Sequence, residues 1–235
     1  MIRWTVGNVP PVGMEVLLES IASWQSVYGT TFNMVVCYNE IPNNYISMLS
    51  NVPNIILFDQ RAEYKQHKQK YFWTPKLCGW KLCPPRMSFD THEIFCDNDI
   101  VFTKRLPTID KFLESKNMVF NCRGKGKAFG NFKKFIPRKI TANNGFFGVY
   151  PGFYLNRKIK IMQRRSKLKS WTNFLDEQGM MTAIMVRQKN FVQIELNEMS
   201  VCHTDLKIAN GIHFVGLNAM RTRAWEQYRR YAISM

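Results

Sequence analysis

His92-Glu93-Ile94-Phe95-Cys96-Asp97-Asn98-Asp99-Ile100-Val101-Phe102 is an apolar run interrupted by the carboxylates of Asp97 and Asp99. Side chains alternate faces on an extended strand, so as a strand this segment points Asp97 and Asp99 one way and Asn98 the other. Two like charges on one face of a buried strand repel each other, and each is costly to desolvate. A cation between them offsets both effects. Oxygen ligands suit a hard divalent ion, Mg2+ or Mn2+, and such ions commonly accompany a phosphate-bearing substrate.

Upstream of this run, strand and helix patterns alternate. Trp4-Thr5-Val6 reads as a short strand ending at Gly7-Asn8. Met14, Leu17, Leu18, Ile21 and Trp24 recur at helical spacing and predict a helix from Val12 to Tyr28. Phe32 to Tyr38 and Asn54 to Phe58 read as strands on either side of a short helix from Asn43 to Leu49. A further helix, Lys76 to Leu82, is stopped by Pro84-Pro85. This alternation predicts an α/β fold, one Rossmann-like, mostly parallel sheet flanked by helices. Ligands of such sheets sit at the carboxyl ends of the strands, which gathers Asn8, Asp59, Asp97 and Asp99 at one edge.

Downstream, Pro107 to Ser115 predicts a helix and Met118 to Cys122 a strand, followed by a loop rich in Gly and Lys. Asn143-Asn144-Gly145 opens the apolar run Phe146 to Tyr150. Trp171 to Val186 reads as a helix, Phe191 to Ile194 and Val201-Cys202 as strands, and Arg221 to Tyr231 as a basic helix. No proline- or serine-rich linker divides the chain, so all 235 residues are expected to form one domain.

The formal net charge of +16 implies an anionic partner, whether a phosphorylated substrate, an acidic membrane surface or nucleic acid. Fifteen Lys and Arg residues fall between Glu114 and Asp176, a stretch with no acidic residue. They are densest from Arg157 to Lys169, where apolar residues are interleaved. That pattern suits peripheral attachment to anionic lipid, an acidic glycan or a solvated face. No nucleic-acid recognition motif accompanies the charge. The N-terminal residues lack the apolar core of a signal peptide, and no apolar run approaches the ~20 residues of a membrane span. A cytoplasmic location, with peripheral membrane contact as an option, is therefore expected. None of the six cysteines forms a CxxC pair, and all read as reduced and structural.

Several segments resemble, in order, the motifs of the GT-A glycosyltransferases, most closely the glycogenin-like group. They are Gly7-Asn8 after the first strand, Lys76-Leu77 with Trp80 and Leu82, and Asp97-Asn98-Asp99. Asn143-Asn144-Gly145, Glu177-Gln178-Gly179 and His213-Phe214-Val215-Gly216 follow. The correspondence spans nearly the whole chain. It implies a GT-A fold, with residues 1–102 as the nucleotide-sugar half and 103–235 as the acceptor-side half. It also implies transfer of a sugar from a nucleotide sugar, a UDP-sugar by preference, to a glycan, lipid-linked or protein acceptor.

The resemblance assigns roles residue by residue. Asp97, Asp99 and His213 would hold Mn2+ or Mg2+, with imidazole favouring Mn2+. Val6, Gly7, Asn8 and Asp59 would hold base and ribose, with Asp97 also reaching the ribose. Lys76 would bind the phosphates or the donor sugar, and Asn143 and Asn144 would face that sugar. Glu177 and Gln178, with neighbouring Asp176, would form the catalytic group. Gly216 would approach the diphosphate. The group's lysine after this glycine is missing, since Leu217-Asn218-Ala219 stands there, which leaves Arg221 or Arg223 to substitute. Glu177 stands where the group has aspartate. Retention is implied by resemblance, but Asp176 or Glu177 could also serve as base in an inverting displacement. Two other readings compete: a Mg-dependent phosphatase of haloacid-dehalogenase type with Asp97 as nucleophile, and a non-enzymatic basic binding module.

Overall fold

The computed structural model describes residues 1–61, 63, 78–168, 171–173, 175–201, 209–215 and 218–233. Lys76 and Gly216 lie outside this set. Ten strands and six α-helices are described. In chain order they are β1 (Ile2–Val6), α1 (Pro11–Tyr28), β2 (Met34–Tyr38), α2 (Asn43–Ser50), β3 (Ile55–Asp59), β4 (Glu93–Asp97), β5 (Ile100–Phe102) and α3 (Pro107–Glu114). Then come β6 (Val119–Cys122), β7 (Asn143–Val149), α4 (Leu155–Ser166), α5 (Asp176–Met185), β8 (Phe191–Ile194), β9 (Met199–Val201), β10 (Gly211–His213) and α6 (Asn218–Ile233). Cys78–Leu82 and Gly130–Phe135 form 3-10 turns.

Seven strands make one sheet in the order β3-β2-β1-β4-β7-β6-β8. All pairs are parallel except those of β7, which runs against both β4 and β6. The α/β expectation therefore holds, with a single reversed strand. Strands buried on both faces read as continuous apolar runs, and β2, with Met34, Val35, Val36 and Cys37 buried, is such a strand; β1 sets Ile2, Trp4 and Val6 on one face and the buried Arg3 and Thr5 on the other. α1 packs one face on the sheet through Met14, Leu17, Ile21 and Trp24. A second cluster on Phe95, Phe132, Phe147 and Met181 lies under α4 and α5.

The opening run departs from its reading as one strand. β4 ends at Asp97, Asn98-Asp99 turns, and Ile100 starts β5 in a separate sheet of order β5-β10-β9. Asp, Asn and Asp in succession are turn formers, because their side chains compete for nearby backbone groups. Residues 171–173 form a loop rather than the first turn of a helix. The 76–82 helix is a 3-10 turn over its described residues, Cys78–Leu82. Among the described residues, no helix is long and apolar enough to cross a membrane.

Candidate functional site

The register explains why distant residues meet. Thr5 pairs with Asp97, Val6 with Tyr38, and Tyr38 with Asp59, so these residues share the carboxyl edge of the parallel strands. Cys96 pairs with Phe146 across the antiparallel β4–β7 pair. Because β7 is reversed, its first residues, Asn143-Asn144-Gly145, arrive at that same edge beside Asp97. In the small sheet, His213 pairs with Ile100, and the Phe214 amide donates to the Asp99 carbonyl at 2.9 Å. That pairing brings His213 against the Asp97-Asn98-Asp99 turn.

The result is a cavity of about 160 Å3 lined by Asp97, Asp99, Asn143, Asn144, Gly145, Glu177, Gln178, His213 and Val215. One carboxylate oxygen each from Asp97 and Asp99 and one His213 nitrogen lie within 4.8 Å of one another. His213 Nε2 is 3.0 Å from Asp99 Oδ1, and both side chains are buried. Two donors bound to one cation at about 2.1 Å and at right angles also stand about 3 Å apart. Gly145 forms the floor. A Cβ there would lie 2.1 Å from His213 Cε1, 2.8 Å from Nε2 and 3.0 Å from Asp97 Oδ2. Two carboxylates, an imidazole and a floor without a side chain fit a divalent cation such as Mn2+.

Lys81 adds a residue that the sequence reading passed over. Its Nζ donates to Asp97 Oδ1 at 2.6 Å, with both side chains about one quarter exposed. The backbone carrying it is held from below. The fully buried Arg3 donates to the carbonyls of Lys81 and Pro84 at 2.9 and 2.8 Å. Gln60 donates to those of Trp80 and Cys83 at 3.1 and 2.6 Å. Arg3 is balanced by Glu93, which also accepts from Arg86 at 2.8 Å. The only sequence signal for Lys81 was its place between Trp80 and Leu82, upstream of the acidic run.

Asp176 and Glu177 are neighbours with different surroundings. Asp176 is fully buried, and its carboxylate accepts from the backbone amides of Asn131, Thr172 and Asn173 at 2.7 to 3.1 Å. It ties the loop before α5 to the 130–135 turn and does not line the cavity. Glu177 does. Burial pushes its carboxyl up to about 7, with Lys81 pulling it down and Asp97 pushing it up. Glu177 is half-buried and lines the cavity.

Asn144 donates to the Gln178 carbonyl at 2.6 Å and to Thr182 Oγ1 at 3.0 Å, and accepts from Asn121 at 2.9 Å. It fastens β7 to α5 while lining the cavity. Gln178 Nε2 is donated to the Ala128 carbonyl at 2.7 Å. Asn143 Oδ1 accepts from the Gly145 amide at 2.8 Å.

The expected base-and-ribose residues occupy the same edge but not the cavity. Val6 is buried, and its carbonyl accepts from Asn39. Gly7 lies under the Trp80 ring, where a Cβ would come within 3.2 Å of Cζ2. Asn8 is exposed. Asp59 is paired with Arg61, whose hydrogen bonds hold its carboxyl below the usual range. Asp59 stands three strand spacings from Asp97, about 14 Å. Lys76 and Gly216 fall outside the described residues, and of Arg221 only the backbone, in α6, is described.

No family model and no curated protein sequence matches the chain. Solved structures do resemble it. The galactosyltransferase LgtC, in complex with donor and acceptor sugar analogues, aligns with a TM-score of 0.63 at 11% identity, over 96% of this chain and 94% of that one. Apo mouse xyloside xylosyltransferase 1 aligns at 0.59 and 9% identity, over 93% and 98%. The bifunctional glycosyltransferase WbbM aligns at 0.62 and 14% identity, over 92% of this chain and 46% of that one. At such identities the likeness is one of fold, and the narrower glycogenin-like grouping rests on the motifs alone. The chain has the GT-A fold of these glycosyltransferases.

Proposed function

We propose that the protein is a metal-dependent glycosyltransferase that takes its sugar from a nucleotide sugar, a UDP-sugar by preference. The observation that carries this reading is the convergence of Asp97, Asp99 and His213 with Asn143–Gly145, Glu177 and Gln178 in one cavity at the carboxyl edge of a GT-A sheet. The sugar analogues bound by LgtC support a donor and an acceptor for this fold.

Asp97, Asp99 and His213 would hold Mn2+ or Mg2+, which when bound neutralises the charge left on a departing diphosphate. Lys81 supplies a second positive charge at the same place. It joins Lys76 as a candidate for the phosphates, as a flexible point charge that can turn from Asp97 to an incoming phosphate. Along the edge, Gly7, Asn8 and Asp59 offer polar backbone and a carboxylate to base and ribose. Asn143 and Asn144 face the transferred sugar. Of the two carboxylates first considered as a base, Glu177 is the one at the cavity. Its raised affinity for a proton suits transfer to or from an acceptor hydroxyl near neutral pH. Residues 1–102 supply the base and ribose side of one domain, and 103–235 supply the acceptor side together with the donor-facing Asn143, Asn144 and His213. The acceptor is a glycan, lipid-linked or protein hydroxyl.

Isothermal titration with UDP, with and without Mn2+, tests the reading. Binding is expected only with the metal and is expected to be lost in Asp99→Ala. Metal-independent binding, or none in either condition, would refute it.

A further inference from the structure

The positive charge concentrated between Arg157 and Lys169 takes no part in the candidate site. In the structure most of it lies on α4. Leu155, Ile159 and Met162 of that helix are buried in the core. Its apolar side is thus occupied, and α4 cannot insert that side into a bilayer as an interfacial anchor does. A second stripe holds Lys158, Ile161 and Arg165, spaced three and seven residues from the first, so they share one helix face, with the buried Met162 at its edge. Across from it, the end of α5 and the turn beyond contribute Ile184 and Arg187. Between them lies a cavity of about 180 Å3 with an apolar floor.

Arg187 is fixed in place. Its Nη1 donates to the carbonyls of Phe135 and Ala183 at 2.9 and 2.6 Å, and its guanidinium lies 5.7 Å from the Phe135 ring centre. Burial, and then Arg165, lower its affinity for the proton, so the two guanidinium groups repel each other. The chain has no acidic residue between Glu114 and Asp176, and the Asp176 carboxylate is enclosed by backbone amides. Among the described residues, Lys158, Arg165 and Arg187 form no ion pair.

Arg165 and Arg187 reach solvent, but with Lys158 they set three like charges around one concave space, which favours an anion there, and the guanidinium fork matches phosphate oxygens. We propose that the groove between α4 and α5 binds a phosphoryl group between Arg165 and Arg187, with Lys158 as a third contact. Arg187 lies in the turn past the end of α5, whose first turn carries Glu177, and the two cavities share no lining residue, so this site is separate from the cavity at Asp97. The proposal does not rest on the glycosyl-transfer reading. The phosphoryl group could come from a soluble phosphorylated compound or from a lipid headgroup, and the apolar floor accommodates either.

The test uses the full chain in EDTA, which removes any metal-dependent binding at Asp97 and Asp99. The probes are inorganic pyrophosphate, by calorimetry, and vesicles of phosphatidylcholine with or without phosphatidylglycerol, by co-sedimentation. Lys158→Gln/Arg165→Gln is compared with Arg157→Gln/Arg164→Gln, which removes the same charge from α4 outside the groove. Melting curves confirm that both variants fold. The groove variant is expected to lose at least about tenfold in affinity for one or both probes, the worth of one charge-assisted hydrogen bond, while the control stays near wild type. Loss toward pyrophosphate identifies a soluble phosphoryl ligand; loss confined to phosphatidylglycerol vesicles identifies a headgroup. Equal loss in both variants would mean a diffuse positive surface and overturn the proposal, as would binding of neither probe.

Discussion

Replacing Gly145 with alanine asks whether the floor beneath Asp97 and His213 is a metal cradle. The added methyl would lie 2.1 Å from His213 Cε1 and 3.0 Å from Asp97 Oδ2. His213 would have to retreat by about 1.3 Å to reach ordinary van der Waals contact, near 3.4 Å. It has little room, because β10 is hydrogen-bonded on both sides, to β5 and β9. Crowding of this kind costs about 1–3 kcal/mol of stability. The larger effect should fall on the donor set. Disturbing groups that merely orient metal ligands costs about 10–100-fold in affinity, so moving a ligand should cost at least about 100-fold. The assay is calorimetric titration of UDP in Mn2+, beside thermal melts. Gly148→Ala is the control. Its methyl would meet Phe120 at 2.2 Å and Phe112 at 2.9 Å, on the same strand but in the core. It should lower stability and leave Mn2+-dependent binding intact. If Gly145→Ala binds as wild type does, or Gly148→Ala loses as much binding, the floor is not a cradle.

Lys81→Ala should weaken UDP binding in Mn2+ by about 10–100-fold, the range of a hydrogen bond to a charged group. Unchanged affinity would leave Lys81 as a structural partner of Asp97. Glu177 sets a pH dependence of stability in the metal-free protein. Its carboxyl stands at about 7 when folded, against an ordinary value of 4.5, so the folded state binds the proton more tightly. Stability is therefore highest below the ordinary value and falls as pH rises toward the folded one, by at most about 3 kcal/mol. Glu177→Gln should flatten that fall when urea unfolding is compared at about pH 5 and about pH 8. Parallel profiles for wild type and variant would show that Glu177 is not held near neutrality.

Much of the parallel half of the sheet was legible because its strands carry short apolar stretches between turn residues, continuous in β2 and alternating with Arg3 and Thr5 in β1. β1, β2 and β3 lie within a few residues of their expected bounds. The break at Asn98 was not legible by the same logic. Ile100, Val101 and Phe102 are all buried, so no change of period marks the passage into a second sheet. The difference between Asp176 and Glu177 was hidden for another reason. Successive helix residues point about 100° apart, and only the packing shows which of the two faces the cavity. Lys81 was missed because its meaning comes from carbonyls held by Arg3 and Gln60, contacts between residues far apart in sequence. Asp97, Asp99 and His213 could be read together only through a resemblance, since 113 residues lie between Asp99 and His213.

The failure of the single-strand reading is also what makes the site possible. On one continuous strand, Asp97 and Asp99 would share a face but stand about 6.6 Å apart along it, two residues at the usual rise. Asp99 would then extend beyond the end of β4, and nothing would bring His213 to it. The turn at Asn98 instead folds Asp99 back, so that donor atoms of both carboxylates and the imidazole come within 4.8 Å. It also starts β5, whose pairing with β10 delivers the histidine. The reversal of β7 acts from the other side, since a parallel strand in that place would put Asn143-Asn144-Gly145 at the far edge of the sheet. The carboxylate pair, the histidine and the glycine floor are therefore products of two departures from a regular parallel sheet. A substitution that restored strand geometry at Asn98 would be expected to dismantle the site before it dismantled the fold.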